Sequence, residues 1–147
     1  MTDERVRTQA TFQIGEVATR VGLSQRTIRH YDDLGIIKPS ARTAGGFRLY
    51  TESDVQRFLL IKPFKSLGVG LEEARALTGA LDVLEGTSAT PEQREHARAS
   101  LQRISTLIAE RRAELEEALG ASIRTVTHID ALLGVAPAPV LVGAAAD

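Results

Sequence analysis

Apolar residues recur at helical spacing from the start of the ordered pattern. Ile14, Val17, Ala18 and Val21 stand at i, i+3, i+4 and i+7, one face of a short helix that Gly22 ends. Ser24 then supplies an oxygen for the free N–H groups of a second helix, in which Ile28 and Tyr31 share an inward face. Two helices joined by so short a turn form a helix-turn-helix. Gly35 stops the second helix, and the stretch IIKPSARTAGGFRLY predicts two short strands around Ala44, Gly45 and Gly46, the glycines allowing positive φ at the turn. Alternation sends Leu49 to the side opposite Arg48 and Tyr50, which makes Leu49 the expected core residue of that strand.

Thr51 and Asp54 have the spacing of a capping box and announce a third helix through Val55, Phe58 and Leu59, reaching towards Leu67. Pro63 lies inside that span and predicts a kink or break between positions 59 and 62. A fourth helix begins near Leu71, with Gly70 as a permissive cap and Glu72 and Glu73 at its positive end. From 85 to 89 the residues are small and polar, which marks a joint. Thr90, Pro91 and Gln93 then combine a cap, a first-turn proline and a capping-box partner.

The helix that follows is long. Leu101, Ile104, Ile108, Leu115 and Ala118 approximate a three-four alternation, Arg111 interrupts the seam, and Ile123, Val126, Ile129 and Leu133 resume it beyond Gly120. A single apolar stripe on a long helix needs a partner, most simply the same helix in a second chain. The expected order is a flexible arm over 1–11, a winged helix-turn-helix domain over 12–80, a linker over 81–89, a dimerisation helix over 90–133, and a flexible or effector-region tail over 134–147. The expected fold class is mainly α.

Composition supports a helical reading and narrows the chemistry. The 147 residues are 43% hydrophobic but only 4% aromatic, with no Trp, so the core should be aliphatic. The chain has no Cys, which excludes disulfides, thiolate metal sites and thiol redox sensing. No apolar run approaches a membrane span and no signal region precedes the first helix, so a cytoplasmic protein without membrane contact is expected. The net charge of -1 conceals two opposite halves: residues 12–79 carry ten Lys or Arg against seven acids, residues 80–147 six against ten. The basic half points to nucleic acid.

In a helix-turn-helix the second helix presents its N-terminal end to the major groove, and Ser24, Gln25, Arg26, Thr27 and Arg29 are suited to bases or phosphates. The hairpin beyond it forms a wing. Arg42 and Arg48 flank a tip small enough for a groove, and Lys38, Phe47 and Tyr50 lie nearby. The bland reading makes Phe47 and Tyr50 core aromatics, and the functional one makes them part of the DNA surface.

The order of these parts, with an RxYD step at Arg29 to Asp32 and a wing reading RTAGGFRLY, resembles the mercury-resistance regulator (MerR) family of bacterial transcription factors over residues 12–78. The resemblance implies DNA contacts from Arg26, Arg29 and Tyr31, from Arg42, Phe47 and Arg48 in the wing, and from Lys62 and Lys65 on the third helix. It also implies a homodimer joined by antiparallel pairing of the long helix as a coiled coil. Such a dimer binds a palindrome in double-stranded promoter DNA and distorts it for RNA polymerase holoenzyme, an indirect readout. Phe47 departs from the tyrosine often found there, and His30 replaces another aromatic.

No cofactor or metal is expected, since His30, His96 and His128 are scattered. A small-molecule effector remains open: Ile123 to Leu133 with the tail either hold an apolar organic ligand or stabilise the dimer, and the second reading is preferred. The alternative function is an architectural or excisionase-like DNA-bending accessory protein. An enzyme is the poorest reading, without a Cys nucleophile, a His and carboxylate cluster or a phosphate-cradling loop.

Overall fold

The computed structural model describes residues 11–136. Its elements run β1 (Thr11–Gln13), α1 (Ile14–Val21), α2 (Gln25–Asp33), β2 (Ala41–Arg42), β3 (Arg48–Thr51), α3 (Glu52–Ile61), α4 (Leu71–Glu85) and α5 (Pro91–Leu133), with a single 3-10 turn at Lys62–Phe64. The fold is mainly helical, as expected, and the helix-turn-helix and hairpin lie where the pattern puts them.

The three strands form an antiparallel sheet in the order β1-β3-β2. β1 was not foreseen: the arm expected over 1–11 gives up Thr11, which pairs with Thr51, while Phe12 pairs with Tyr50. Three residues are too few to show an alternation. The Arg20 guanidinium lies 4.3 Å from the Phe12 ring centroid, a cation–π contact that ties α1 back to the sheet. The rest of the arm, and the tail from 137 onward, lie outside the described residues.

Two units divide the described chain, one ending at Ile108 and the other beginning at Ala109. In the first, Val17, Val21, Ile28, Ile37, Tyr50, Phe58 and Ile61 are almost completely buried in one cluster. Tyr50 meets Phe58 edge-on at 5.9 Å, and Tyr31 meets the same ring at 6.2 Å. The core is therefore aliphatic around an aromatic centre built from three of the chain's few rings.

The Thr51–Asp54 capping box is formed: the Thr51 N–H donates to Asp54 Oδ2 at 2.8 Å and the Asp54 N–H to Thr51 Oγ1. Ser40 Oγ also donates to Asp54 Oδ2 at 2.6 Å, which fixes the loop before β2. α3 stops at Ile61, two residues before Pro63, and the chain continues as the 3-10 turn instead of reaching Leu67. α4 starts at Leu71 as the pattern requires.

The linker expected over 81–89 is shorter in the structure because α4 continues to Glu85. Arg57 of α3 donates to Asp82 at 2.6 Å and to Glu85 at 2.7 Å, and the Arg94 guanidinium donates to the carbonyls of Leu84 and Gly86. These bonds satisfy and hold the last turn of α4. α5 opens with the foreseen reciprocal cap between Thr90 and Gln93 and runs through Gly120 without a break.

The role expected for Ile104 in pairing two chains needs correction. Its side chain is 2% exposed and belongs to the core of the first unit, with Leu107 and Ile108 packed partly against that core. The apolar spacing was read correctly, but the chain's own helices cover this part of it. In the second unit Leu115, Leu119, Val126, Ile129, Leu132 and Leu133 are exposed. Leu101 is half-buried and Ala118 exposed.

Candidate nucleic-acid interface

The turn between α1 and α2 is built from its end residues. Gly22 takes the left-handed conformation at φ 65°, the Leu23 N–H donates to the Ala18 carbonyl, and extended Ser24 caps α2 by accepting from the Thr27 N–H at 3.0 Å. Ile28 is fully buried, so α2 is keyed into the core on one side. Gln25, Arg26 and Arg29 are exposed on the other. The Ser24 and Thr27 hydroxyls bond each other at 2.8 Å, and Arg29 donates to Gln25 at 3.2 Å, so several of these polar groups are already held in place.

Tyr31 is half-buried, and burial raises its phenol pKa above the ordinary value. A cleft of about 560 Å³ beside α2 is lined by Arg26, His30, Tyr31, Phe64, Lys65 and Leu71, among others. It brings Arg26 and Lys65 to one concave surface, although they are 39 positions apart. Lys62 is exposed as well, but its ammonium lies against Gly22 at the C-terminal end of α1, where a β-carbon would come within 2.8 Å of Nζ. There it also meets the negative end of a helix dipole. Lys38 is exposed.

The wing is tied at its tip. The Thr43 N–H donates to the Phe47 carbonyl, the Phe47 N–H to Thr43 Oγ1, and Arg42 Nη1 to the Gly46 carbonyl at 3.2 Å. Gly46 sits at φ 82°, and the Phe47 ring stands over Gly45, where an added β-carbon would meet it at 3.2 Å. Phe47 is 70% exposed, so the core reading of this ring fails and it remains available to an external surface.

Tyr50 goes the other way. It is fully buried, which removes its side chain from the DNA-contacting set. Leu49, expected in the core, is only half-buried. The alternation itself holds; the inner side is that of Tyr50, because the Phe58 ring fills the space beneath it. Burial, and next the nearby Asp32 carboxylate, push the Tyr50 phenol pKa up to about 12.

Arg48 shares the Tyr50 side of the strand and reaches an acid that sequence reasoning passed over as a site residue. Its Nε donates to Asp32 Oδ2 at 2.7 Å, and Arg42 Nη2 lies 3.7 Å from the same oxygen. The hydrogen bond to Asp32 is the main reason that the Arg48 pKa is raised. A signal was present: an acid in the last turn of a helix opposes the helix dipole and calls for a compensating cation.

Among the described residues no group of three or more His, Asp or Glu could hold a metal ion, and no helix is long and apolar enough to cross a membrane. The arrangement offers exposed guanidinium and ammonium groups on a helix, a hairpin and a cleft between helices.

Comparison with known proteins gives these elements a family. Residues 12–81 match the MerR HTH family regulatory protein. The mercuric resistance operon regulatory protein of Bacillus cereus is 41% identical over 71 residues, covering 48% of this chain and 54% of that one. The HTH-type transcriptional activator TipA of Streptomyces coelicolor is 34% identical over 107 residues, 73% of this chain and 38% of that one. The chain thus spans about half, or less, of the length of these relatives. Among solved structures, HiNmlR, described as a MerR family regulator lacking the sensor domain and bound to promoter DNA, superposes with a TM-score of 0.61 at 20% identity. The match covers 86% of this chain and 92% of that one, and at this identity it speaks for the fold. By its helix-turn-helix, its wing and this matched segment, the chain belongs to the MerR HTH family of regulatory proteins.

Proposed function

We propose that this protein is a dimeric, sequence-specific regulator of transcription that binds a palindromic promoter site and acts by distorting the DNA. The observation that carries this reading is the common exposure of Arg26 and Arg29 on α2, Arg42 and Phe47 on the wing and Lys65 at the cleft, in a domain of a regulator family. Ser24, Gln25 and Thr27 contribute the capped end of the same helix. α2 reads a major groove, while the wing and Lys65 hold phosphates on either side of it.

Pairing of the exposed seam of α5 from Leu115 onward would present two such domains to the halves of a palindrome. Distortion then follows from gripping both halves at once: bending or untwisting the spacer costs a few kcal/mol, which added phosphate contacts offset. This is the role the relatives' regulatory names support, and it sets RNA polymerase at the same promoter as the protein's partner.

Selection of bound genomic fragments followed by footprinting tests the reading. A two-fold symmetric footprint inside a promoter spacer is the expected result, with Arg26→Ala and Arg29→Ala each weakening binding about tenfold at physiological salt. Protection at recombination ends, or binding without sequence preference, would overturn it in favour of an architectural role.

A further inference from the structure

We propose that Asp32 is a positioning residue for DNA recognition, holding the wing arginines at a fixed offset from the recognition helix so that the two elements read DNA as one body. This rests on the DNA-binding reading above and adds a residue that itself carries the wrong charge for touching phosphate.

The hairpin has an electrostatic problem that Asp32 answers. Its register sets Arg42 directly opposite Arg48, and like charges facing each other across a strand pair repel. One carboxylate oxygen, Asp32 Oδ2, lies 2.7 Å from Arg48 Nε and 3.7 Å from Arg42 Nη2. The Asp32 side chain is 13% exposed and that of Arg48 27%, so water and salt screen this pair less than an open surface pair.

Helix stability does not account for an acid here. Asp32 stands in the last turn of α2, where its charge faces the negative end of the helix dipole. Its backbone is nevertheless anchored. The Asp32 carbonyl accepts from the Gly35 N–H at 2.8 Å, and the Tyr31 carbonyl accepts from Ile36 at 2.9 Å, while the Tyr31 ring rests near Phe58. The carboxylate is thus a fixed point on the recognition helix.

The chosen atom matters. Arg48 meets Asp32 through Nε, and among the described residues its two Nη groups have no partner. A guanidinium held at Nε keeps the outer edge of its planar fork for a second acceptor, the geometry suited to phosphate. Arg42 is held more loosely, by Gly46 and the longer approach to Asp32.

Simple charge counting and positioning predict opposite signs. If Asp32 did nothing but repel phosphate, neutralising it would tighten binding. If it positions the wing, neutralising it weakens binding although the protein gains net positive charge.

The experiment uses the full chain and a duplex recovered by genomic selection, followed by fluorescence anisotropy over a series of salt concentrations. Asp32→Asn is expected to weaken binding about tenfold, the loss of one charge-assisted contact per site, and to flatten the salt dependence by about one phosphate per wing. Asp32→Asn combined with Arg48→Ala should bind no more weakly than Arg48→Ala alone. Equal or tighter binding by Asp32→Asn, or independent multiplication of the two losses, overturns the proposal. Should Asp32→Asn fail to fold, Arg48→Lys decides: it keeps the charge but loses the fork, and binding as tight as the parent overturns the role. A parent protein that binds no selected duplex overturns the DNA-binding reading itself.

Discussion

The unit that ends at Ile108 and the unit that begins at Ala109 treat large apolar side chains in opposite ways. The first encloses Tyr50, Phe58 and Ile28 completely, and it draws Ile104 from the early part of α5 into the same core. The second leaves Leu119 61% and Leu132 74% exposed, on a helix whose surface ion pairs, such as Arg111 with Glu114 and Arg112 with Glu116, are local. Local pairs of this kind contribute only a few tenths of a kcal/mol each. The contrast teaches that equal helical patterning in the two regions does not mean equal self-sufficiency: one stripe closes within the chain and the other stays exposed.

Cutting each region at its most apolar point gives the largest separation. Phe58 touches both Tyr31 and Tyr50 at the centre of the first core, so Phe58→Ala should cost about 3 to 5 kcal/mol in denaturant unfolding. Leu119→Ala, measured on dilute monomer, should stay within about 0.5 kcal/mol of the parent. Comparable losses at the two sites would break the comparison.

Charge placed in the exposed seam probes the second region directly. Glutamate at both Leu115 and Leu119 would have to be buried, unpaired, in a helix pair, so dimer association should weaken by about 2 kcal/mol or more. Sedimentation equilibrium should then show monomers at concentrations where the parent is paired. The thermal melt of the first unit should be unaffected. A dimer of unchanged strength would remove this seam as the pairing surface and leave the half-buried Leu101 to be tested next.

Most of this division could be read in the sequence, and the misses have physical causes. The caps were plain because each uses a specific side chain at a specific spacing: Ser24, Thr51 with Asp54, Thr90 with Gln93. Pro63 announced its own break. Periodicity located Ile104, but the period of a helix does not say which neighbour covers the stripe, and there the cover came from within the chain. Likewise alternation separated Leu49 from Tyr50 correctly and said nothing about which side faces inward; that depended on Phe58, eight residues further on. Sequence also placed Arg42 and Arg48 in the wing without their shared acid, since Asp32 meets Arg48 across 16 positions through a tertiary contact. The three-four spacing picks out Ala118 and Leu133 and passes over their exposed neighbours Leu119 and Leu132, on a helix that runs unbroken through Gly120.

The smallest effect sharpens the comparison through pH. Both tyrosines of the chain, Tyr31 and Tyr50, belong to the first unit, so alkaline titration of phenols acts on that unit alone. Burial disfavours the phenolate, and the Tyr50 pKa is up at about 12 from its ordinary 10.0. Between those values the unfolded chain releases the proton first, so stability present below pH 10 declines as pH rises through 12, by about 1 kcal/mol at a pH near 11. The same hydroxyl has no hydrogen-bond partner among the described residues. Tyr50→Phe should therefore melt no lower than the parent at neutral pH, since it removes a desolvated group and no bond. It should also flatten the alkaline decline in a series of thermal melts. A lower melting temperature at neutral pH would mean that the hydroxyl does find a partner. An unchanged alkaline decline would place its origin outside Tyr50. In either case the association of the tyrosine-free second unit gives no phenol signal, which separates loss of the first fold from loss of pairing.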